Sequence, residues 1–116
     1  MPTKPLRNAP HPSFTQLPPL GTDAPSIVDG MRRYYSHTLG RDKHCRSSHY
    51  AYTALALTLR DRLMERWKNT RYAYDEHDCK RAYYLSLEFL MGRALGNAML
   101  SLGVTDAATR GLLDVG

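Results

Sequence analysis

The strongest constraint on the fold is a change in hydrophobic period between residues 80 and 95. Apolar and polar side chains alternate from Tyr83 to Phe89, and a period of two that includes aromatic residues predicts a β-strand. The apolar residues that follow recur at helical spacing from Met91 to Leu102, which predicts a helix. A strand that leads into a helix is the first half of a βαβ unit, where ligands gather at the carboxyl end of the strand. Glu88 lies at that end, either as a ligand-binding group or as a salt-bridged or solvated carboxylate.

Apolar periodicity predicts three more helices, over residues 23–39, over a long segment from Ser47 or Ser48 to about Tyr74, and over 105–113. Charged residues, Arg62 among them, are expected on the solvent side of the long helix, behind its apolar stripe. At ~1.5 Å per residue, the long helix is a rod of about 40 Å. A domain of this size cannot cover both ends of such a rod. A partner, or more of the same chain, is therefore implied.

A single strand cannot stay buried, because its backbone N–H and C=O groups need a neighbouring strand. We therefore expect an α/β fold in which this strand enters a sheet that is made mostly by other sequence. Residues 23–116 would supply a mostly helical and incomplete part of that fold. Residues 1–22 hold six of the seven prolines, and we expect them to form a disordered or extended tail.

Composition excludes several classes of function. The chain has no apolar run long enough to span a membrane, and because its N-terminus lacks an apolar h-region we expect no secretory signal. Cys45 and Cys79 form no CxxC motif, and the five histidines form no HxxxH or HxH cluster, so we expect reduced thiols, no metal site and a cytoplasmic location. The net charge of +5 is a mild excess, which does not favour nucleic-acid binding.

The segment Lys80–Arg93, which reads KRAYYLSLEFLMGR, resembles the N-terminal signature of the glycogen (α-glucan) phosphorylases. The resemblance extends upstream through Leu57–Trp67 and downstream through Asn97–Gly103. It runs from about Met31 to Gly103 without an obvious gap, and its downstream part is most similar to bacterial members.

The resemblance implies that the chain is the N-terminal portion of a doubly wound, two-domain phosphorylase (GT-B-like) fold. Members of this family release glucose 1-phosphate from the ends of α-1,4-linked glucans by using inorganic phosphate. They hold pyridoxal phosphate as a Schiff base on a lysine of the C-terminal domain. Neither that lysine nor the glycine-rich phosphate loop is in this chain, so no catalytic or cofactor-binding residue is expected here, and the chain alone should be inactive. Among the active-site positions of the family, only Glu88 maps onto this chain, as a polar group near the glucose pocket.

The resemblance also implies a homodimer in the complete protein. In the family, the loop that corresponds to residues 41–46 caps the partner subunit, and the long helix lies nearby. The residues expected at this interface are Arg41, Lys43, His44, Arg46 and Trp67. Nucleotide-regulated members form an AMP site with glutamines and a tyrosine after the tryptophan, but here Arg71, Tyr72 and Asp75 follow Trp67, so AMP control is not expected.

A second interpretation is an independent helical binding or regulatory module without catalysis, which would use the basic loop and the long helix. The coding sequence beyond Gly116 separates the two interpretations. A glycine-rich loop and a later cofactor lysine would establish the phosphorylase, whereas a stop codon would favour a repurposed gene.

Overall fold

The computed structural model describes residues 17–87 and 92–115. Within these ranges the chain forms four α-helices and one π-helical turn, and none of the described residues forms a strand. The helices are α1 (Ala24–Arg33), α2 (Ser48–Glu76), α3 (Ala94–Leu102) and α4 (Thr105–Val115), and the π-helical turn (Tyr34–Thr38) continues α1. No helix in the described part of the chain is both long enough and apolar enough to cross a membrane.

The start of α1 is set by its N-cap, Asp23. The Asp23 carboxylate accepts hydrogen bonds from the backbone N–H of Ser26 at 3.2 Å and from the Ser26 hydroxyl at 2.6 Å. These bonds satisfy an N–H group that has no partner inside the helix, and Pro25 in the first turn has no N–H to satisfy. The predicted start is confirmed. The π-helical turn at the end of this segment was not predicted, because hydrophobic period alone does not distinguish a π-helical turn from an α-helix.

The core lies between α1, the first half of α2, α3 and α4. Its fully or almost fully buried residues come from all four helices and from the α3–α4 connection: Ile27, Leu55, Leu59, Leu102, Val104, Ala107 and Ala108. Helix α4 packs closely on α1 at Gly111, where a Cβ atom would lie 2.8 Å from the Cγ2 atom of Val28. The helices are therefore stabilised mainly by removal of this apolar face from water.

Helix α2 is 29 residues long, and only its first half contributes to the core. Its buried residues lie between Ala54 and Arg62, and every residue from Asn69 to Leu87 is exposed. The described residues leave the C-terminal end of α2 uncovered, as expected from the length of this helix.

The predicted strand is not formed in the part of it that the structure describes. Residues 83–87 are neither helical nor paired with another strand, and the residues from Glu88 to Met91 lie outside the described ranges. The side chains of Tyr83 and Leu87 are 82% and 98% exposed. A lone strand has no ladder to join, so the sheet and the two-domain fold remain predictions. The following helix begins at Ala94, later than the predicted Met91.

The structure corrects the position of Arg62, which sequence analysis placed on the solvent side of α2. Arg62 is only 4% exposed. Its Nε atom donates to the carbonyl oxygen of Gly21 at 2.7 Å, Nη1 to that of Thr58 at 2.8 Å, and Nη2 to that of Ser26 at 3.1 Å. Burial lowers the pKa of the Arg62 guanidinium. The prediction was wrong because the segment before α1 crosses α2 at this point and covers it.

Candidate functional site: the basic loop

The basic loop, residues Arg41–Arg46, connects the π-helical turn to α2. Gly40 precedes it at a φ of +60°, a left-handed conformation that favours glycine. Inside the loop, Asp42 makes a tight turn: its carbonyl oxygen accepts from the N–H of Cys45 at 3.2 Å, and its Oδ1 atom accepts from the N–H of His44 at 3.0 Å. Asp42 therefore stabilises the turn inside the loop. Within the described residues it forms no ion pair with the neighbouring cations.

Two tyrosines outside the loop hold its two ends. The Tyr35 hydroxyl, from the π-helical turn, donates to the carbonyl oxygen of Cys45. At the other end, the Arg41 guanidinium lies over the ring of Tyr50, with Cζ 4.0 Å from the ring centroid, and its Nη2 atom donates to the Tyr50 hydroxyl at 2.7 Å. The loop is thus attached both to the end of α1 and to the first turn of α2.

The four predicted interface residues of the loop do not share one environment. Lys43, His44 and Arg46 are exposed, whereas Arg41 is half-buried and its Nε atom is fully buried. The structure therefore makes three of these residues available to a partner and turns the fourth inward.

An open cavity of about 710 Å³ lies between α1, the basic loop and α2. Three cationic side chains line it (Arg32, Lys43 and Arg46), together with one carboxylate, Asp42. This surface has an excess of positive charge and suits an acidic partner surface.

Trp67, the fifth predicted interface residue, is 54% exposed and lies far from the basic loop of the same chain. It follows Ser48 by 19 positions on α2, which corresponds to a separation of about 28 Å along the helix axis. The guanidinium of Arg71 covers the ring, with Cζ 4.8 Å from the centroid. One chain therefore does not combine Trp67 and the loop in a single site.

Glu88, the predicted glucose-pocket residue, lies outside the described residues. The structure therefore does not test its role. Residues 83–87, which precede Glu88, are the exposed segment described above.

The described lysines do not fit a pyridoxal phosphate site. Lys43 and Lys80 are exposed, and Lys68 is half-buried at the rim of an open cavity of about 420 Å³. A Schiff-base lysine is activated by desolvation in an enclosed pocket, which none of these three positions supplies. Among the described residues there is also no group of three or more histidine, cysteine or acidic side chains that could hold a metal ion.

Sequence analysis missed one cluster of polar residues, which joins the end of α1 to the middle of α2. The Tyr34 hydroxyl donates to Asp61, and Arg33 forms an ion pair with the same carboxylate at 3.1 Å. Burial, followed by the hydrogen bond to Asp61, raises the pKa of Tyr34. The only signal in the sequence was the pair Tyr34-Tyr35. Adjacent side chains of a helical turn point in different directions, so these neighbours reach different elements.

Comparison with curated proteins finds relatives of one class, the glycogen phosphorylases. The chain is 40% identical over 94 residues to the brain form of Bos taurus and 39% identical over 94 residues to that of Homo sapiens. It is 41% identical over 90 residues to the liver form of Bos taurus. No protein-family profile matches the chain.

These alignments cover 81%, 81% and 78% of this chain but only 11% of each relative. The resemblance found in the sequence is thereby confirmed: most of the chain matches one segment of a glycogen phosphorylase. The greater similarity to bacterial members stays a prediction, since these three relatives are mammalian.

Proposed function

We propose that the chain is the N-terminal segment of an α-1,4-glucan phosphorylase. The complete protein would release glucose 1-phosphate from glycogen or maltodextrin ends by using inorganic phosphate. The observation that carries this proposal is the 40% identity to a glycogen phosphorylase over 81% of the chain. The uncovered end of α2 and the exposed residues 83–87 support it, because a larger protein would cover both.

In this proposal the segment does not catalyse the reaction alone. The complete protein would bind pyridoxal phosphate through a lysine that lies outside these 116 residues. Glu88 would be the contribution of this segment to the glucose pocket.

The proposal includes a cytoplasmic homodimer in which the basic loop of one subunit contacts α2 of the other. The exposed cations of the loop support this contact, as does the distance between the loop and Trp67 in one chain. The far end of α2 and the turn after it carry three exposed acidic residues, Asp75, Glu76 and Asp78, and Arg81 forms an ion pair with Asp75. Two α2 helices that lie antiparallel would bring the basic loop of each subunit to the acidic end of the other.

The experiment is an assay of two proteins: the 116-residue chain, and the product of the uninterrupted reading frame that contains it. We expect the chain to release no glucose 1-phosphate from maltodextrin and to show no absorbance from a lysine-bound pyridoxal phosphate. The product of the longer frame should show both. Phosphorolysis by the short chain would overturn the assignment of catalysis to other sequence, and inactivity of a longer product that carries the cofactor lysine would overturn the phosphorylase.

The second candidate is an independent helical binding or regulatory module without catalysis. One observation favours it: the described residues bury a core of their own, with Ile27, Leu59, Val104 and Ala108 no more than 1% exposed. A monomeric 116-residue chain that unfolds in one sharp calorimetric transition would support this candidate. A broad transition with concentration-dependent association would support the segment of a larger protein.

A further inference from the structure

The basic loop contains no helix or strand, but contacts with the rest of the chain fix its conformation at both ends. We infer that Tyr35 and Tyr50 are positioning residues that hold the loop in one conformation before a partner binds, and that Arg41 is an internal brace and does not contact the partner. The inference rests on the proposed function in one respect, namely that the partner is a second copy of this chain.

The π-helical turn explains how Tyr35 reaches the loop. The N–H of Leu39 bonds to the carbonyl oxygen of Tyr34 at 2.9 Å, and the N–H of Arg41 bonds to that of Tyr35 at 2.9 Å. Adjacent side chains of a helical turn point in different directions, so the two tyrosines reach different elements. The Tyr34 hydroxyl donates to Asp61 on α2, while the Tyr35 hydroxyl donates to the backbone of Cys45 in the loop.

Arg41 is committed to its own chain by two contacts to one side chain. Its guanidinium stacks on the Tyr50 ring and also donates to the Tyr50 hydroxyl, and its Nε atom is buried. A planar guanidinium makes both contacts at once, which the ammonium of a lysine does not. To reach a partner, Arg41 would have to break both contacts, so we exclude it from the partner-facing residues.

The partner-facing residues are then Lys43, His44 and Arg46, which are exposed on a loop that is fixed at both ends. A loop that is already ordered loses less conformational entropy when it binds. The chemistry of these three side chains selects an acidic partner surface. Within the described residues, Asp75 is ion-paired with Arg81, so Glu76 and Asp78 of a second copy are the exposed carboxylates that would face the loop.

The order of the loop can be measured at two of its backbone amides. The N–H groups of His44 and Cys45 donate to Asp42 within the loop, so their hydrogen exchange measures loop order. We would measure exchange by NMR and self-association by sedimentation on the 116-residue chain. The positioning variants are Tyr35→Phe, Tyr50→Leu and Arg41→Lys, and the matched control is Tyr52→Phe, an exposed tyrosine on the same turn of α2.

For Tyr35→Phe and Tyr50→Leu, we expect exchange at His44 and Cys45 to rise at least about tenfold with unchanged helical circular dichroism. Self-association should weaken about fivefold or more, because the loop must then be ordered on binding. Arg41→Lys should act like the tyrosine variants, whereas Tyr52→Phe should change neither measurement. Lys43→Glu should weaken association without changing exchange, since it alters only the partner-facing charge.

Unchanged exchange in Tyr35→Phe and Tyr50→Leu would overturn the positioning role. Arg41→Lys that weakens association with normal exchange would make Arg41 a partner contact and overturn its role as a brace. If exchange rises but neither the positioning variants nor Lys43→Glu alter association, the tyrosines do order the loop, and the proposed subunit contact is the part that fails.

Discussion

The Nε atom of Arg62 donates to the carbonyl oxygen of Gly21 across 2.7 Å and so joins α2 to the segment that precedes α1, 41 positions earlier in the chain. The same guanidinium also bonds to the carbonyl oxygens of Thr58 and Ser26. Glu65, one turn further along α2, accepts from the N–H of Leu20 at 3.3 Å with both carboxylate oxygens. Two charged side chains of α2 therefore bind this segment through its backbone.

We expect Arg62→Met to destabilise the chain strongly. Methionine retains much of the aliphatic volume but donates no hydrogen bonds, so three carbonyl oxygens lose a charged donor. The expected loss in the free energy of unfolding is about 2–4 kcal/mol. Urea denaturation measures it, with Arg60→Met, an exposed arginine two positions away, as the control. Equal losses for the two variants would show that the buried hydrogen bonds of Arg62 do not stabilise the fold.

Asp23 should make the stability of the chain depend on pH in the acid range. Hydrogen bonds from the Ser26 hydroxyl and then from the Ser26 N–H lower the pKa of Asp23 below its ordinary value of 3.8. Because the pKa is lower in the folded state, the ionised carboxylate stabilises the fold fully above pH 3.8. This contribution is lost as the pH falls below 3.8 and through the folded-state pKa.

The variants Asp23→Asn and Asp23→Ala separate charge from capping. Asparagine keeps an oxygen that can cap the helix but does not titrate, whereas alanine removes the cap. We expect the free-energy difference between the wild type and Asp23→Asn to decrease from about pH 6 to about pH 3, and Asp23→Ala to be less stable than both at pH 6. A constant difference between the wild type and Asp23→Asn over this range would contradict the role of the ionised carboxylate.

The exposed residues 83–87 should make a second contribution to self-association of the isolated chain, separate from that of the basic loop. Leu85 and Leu87 are 94% and 98% exposed in a segment that has no neighbouring strand among the described residues. Replacing both with aspartate should weaken self-association at least about tenfold, because charge opposes burial of the segment. Sedimentation at several protein concentrations measures the effect.

The matched control for this double variant is Leu100→Asp, a leucine on α3 that is 73% exposed. It tests whether association follows the exposed segment or exposed leucine in general. Equal weakening by Leu100→Asp would show that the segment has no special role.

Glu88 can be tested only in the complete protein that contains this segment. Glu88→Gln keeps the shape of the side chain and removes its charge, so a contact to the glucose pocket should appear in kcat/KM. We expect a loss of ~1–3 kcal/mol in transition-state stabilisation. The control is Asp29→Asn, an exposed carboxylate on α1. Wild-type kcat/KM in Glu88→Gln would leave Glu88 as a structural or solvated residue.

Much of the helical structure could be predicted because its signals are local. The N-cap at Asp23 and the start of α2 at Ser48 lie where the sequence indicates, since capping and period involve residues within one or two turns. The strand could not be verified in the same way. Its backbone hydrogen bonds require a second strand, and none of the described residues supplies one.

The environment of the loop residues could be predicted only in part, and their role at an interface stays a prediction. Lys43, His44 and Arg46 are exposed, as a polar loop predicts. The inward position of Arg41 depends on Tyr50, and the path of the loop depends on Tyr35. Neither contact has a signal in the sequence, because each joins residues that approach only after α1 and α2 have packed.

By itself, the sequence determined the presence of the helices, the N-cap at Asp23 and the resemblance to one segment of the glycogen phosphorylases, since these follow from residue types at short spacing. Only the tertiary structure decided that Arg62 is buried and that Arg41 stacks on Tyr50. Both outcomes depend on which distant backbone or ring covers a side chain. From the sequence, a charged residue on the polar side of an amphipathic helix is expected to face solvent. It can be buried where the folded chain supplies hydrogen-bond partners that offset the cost of its desolvation.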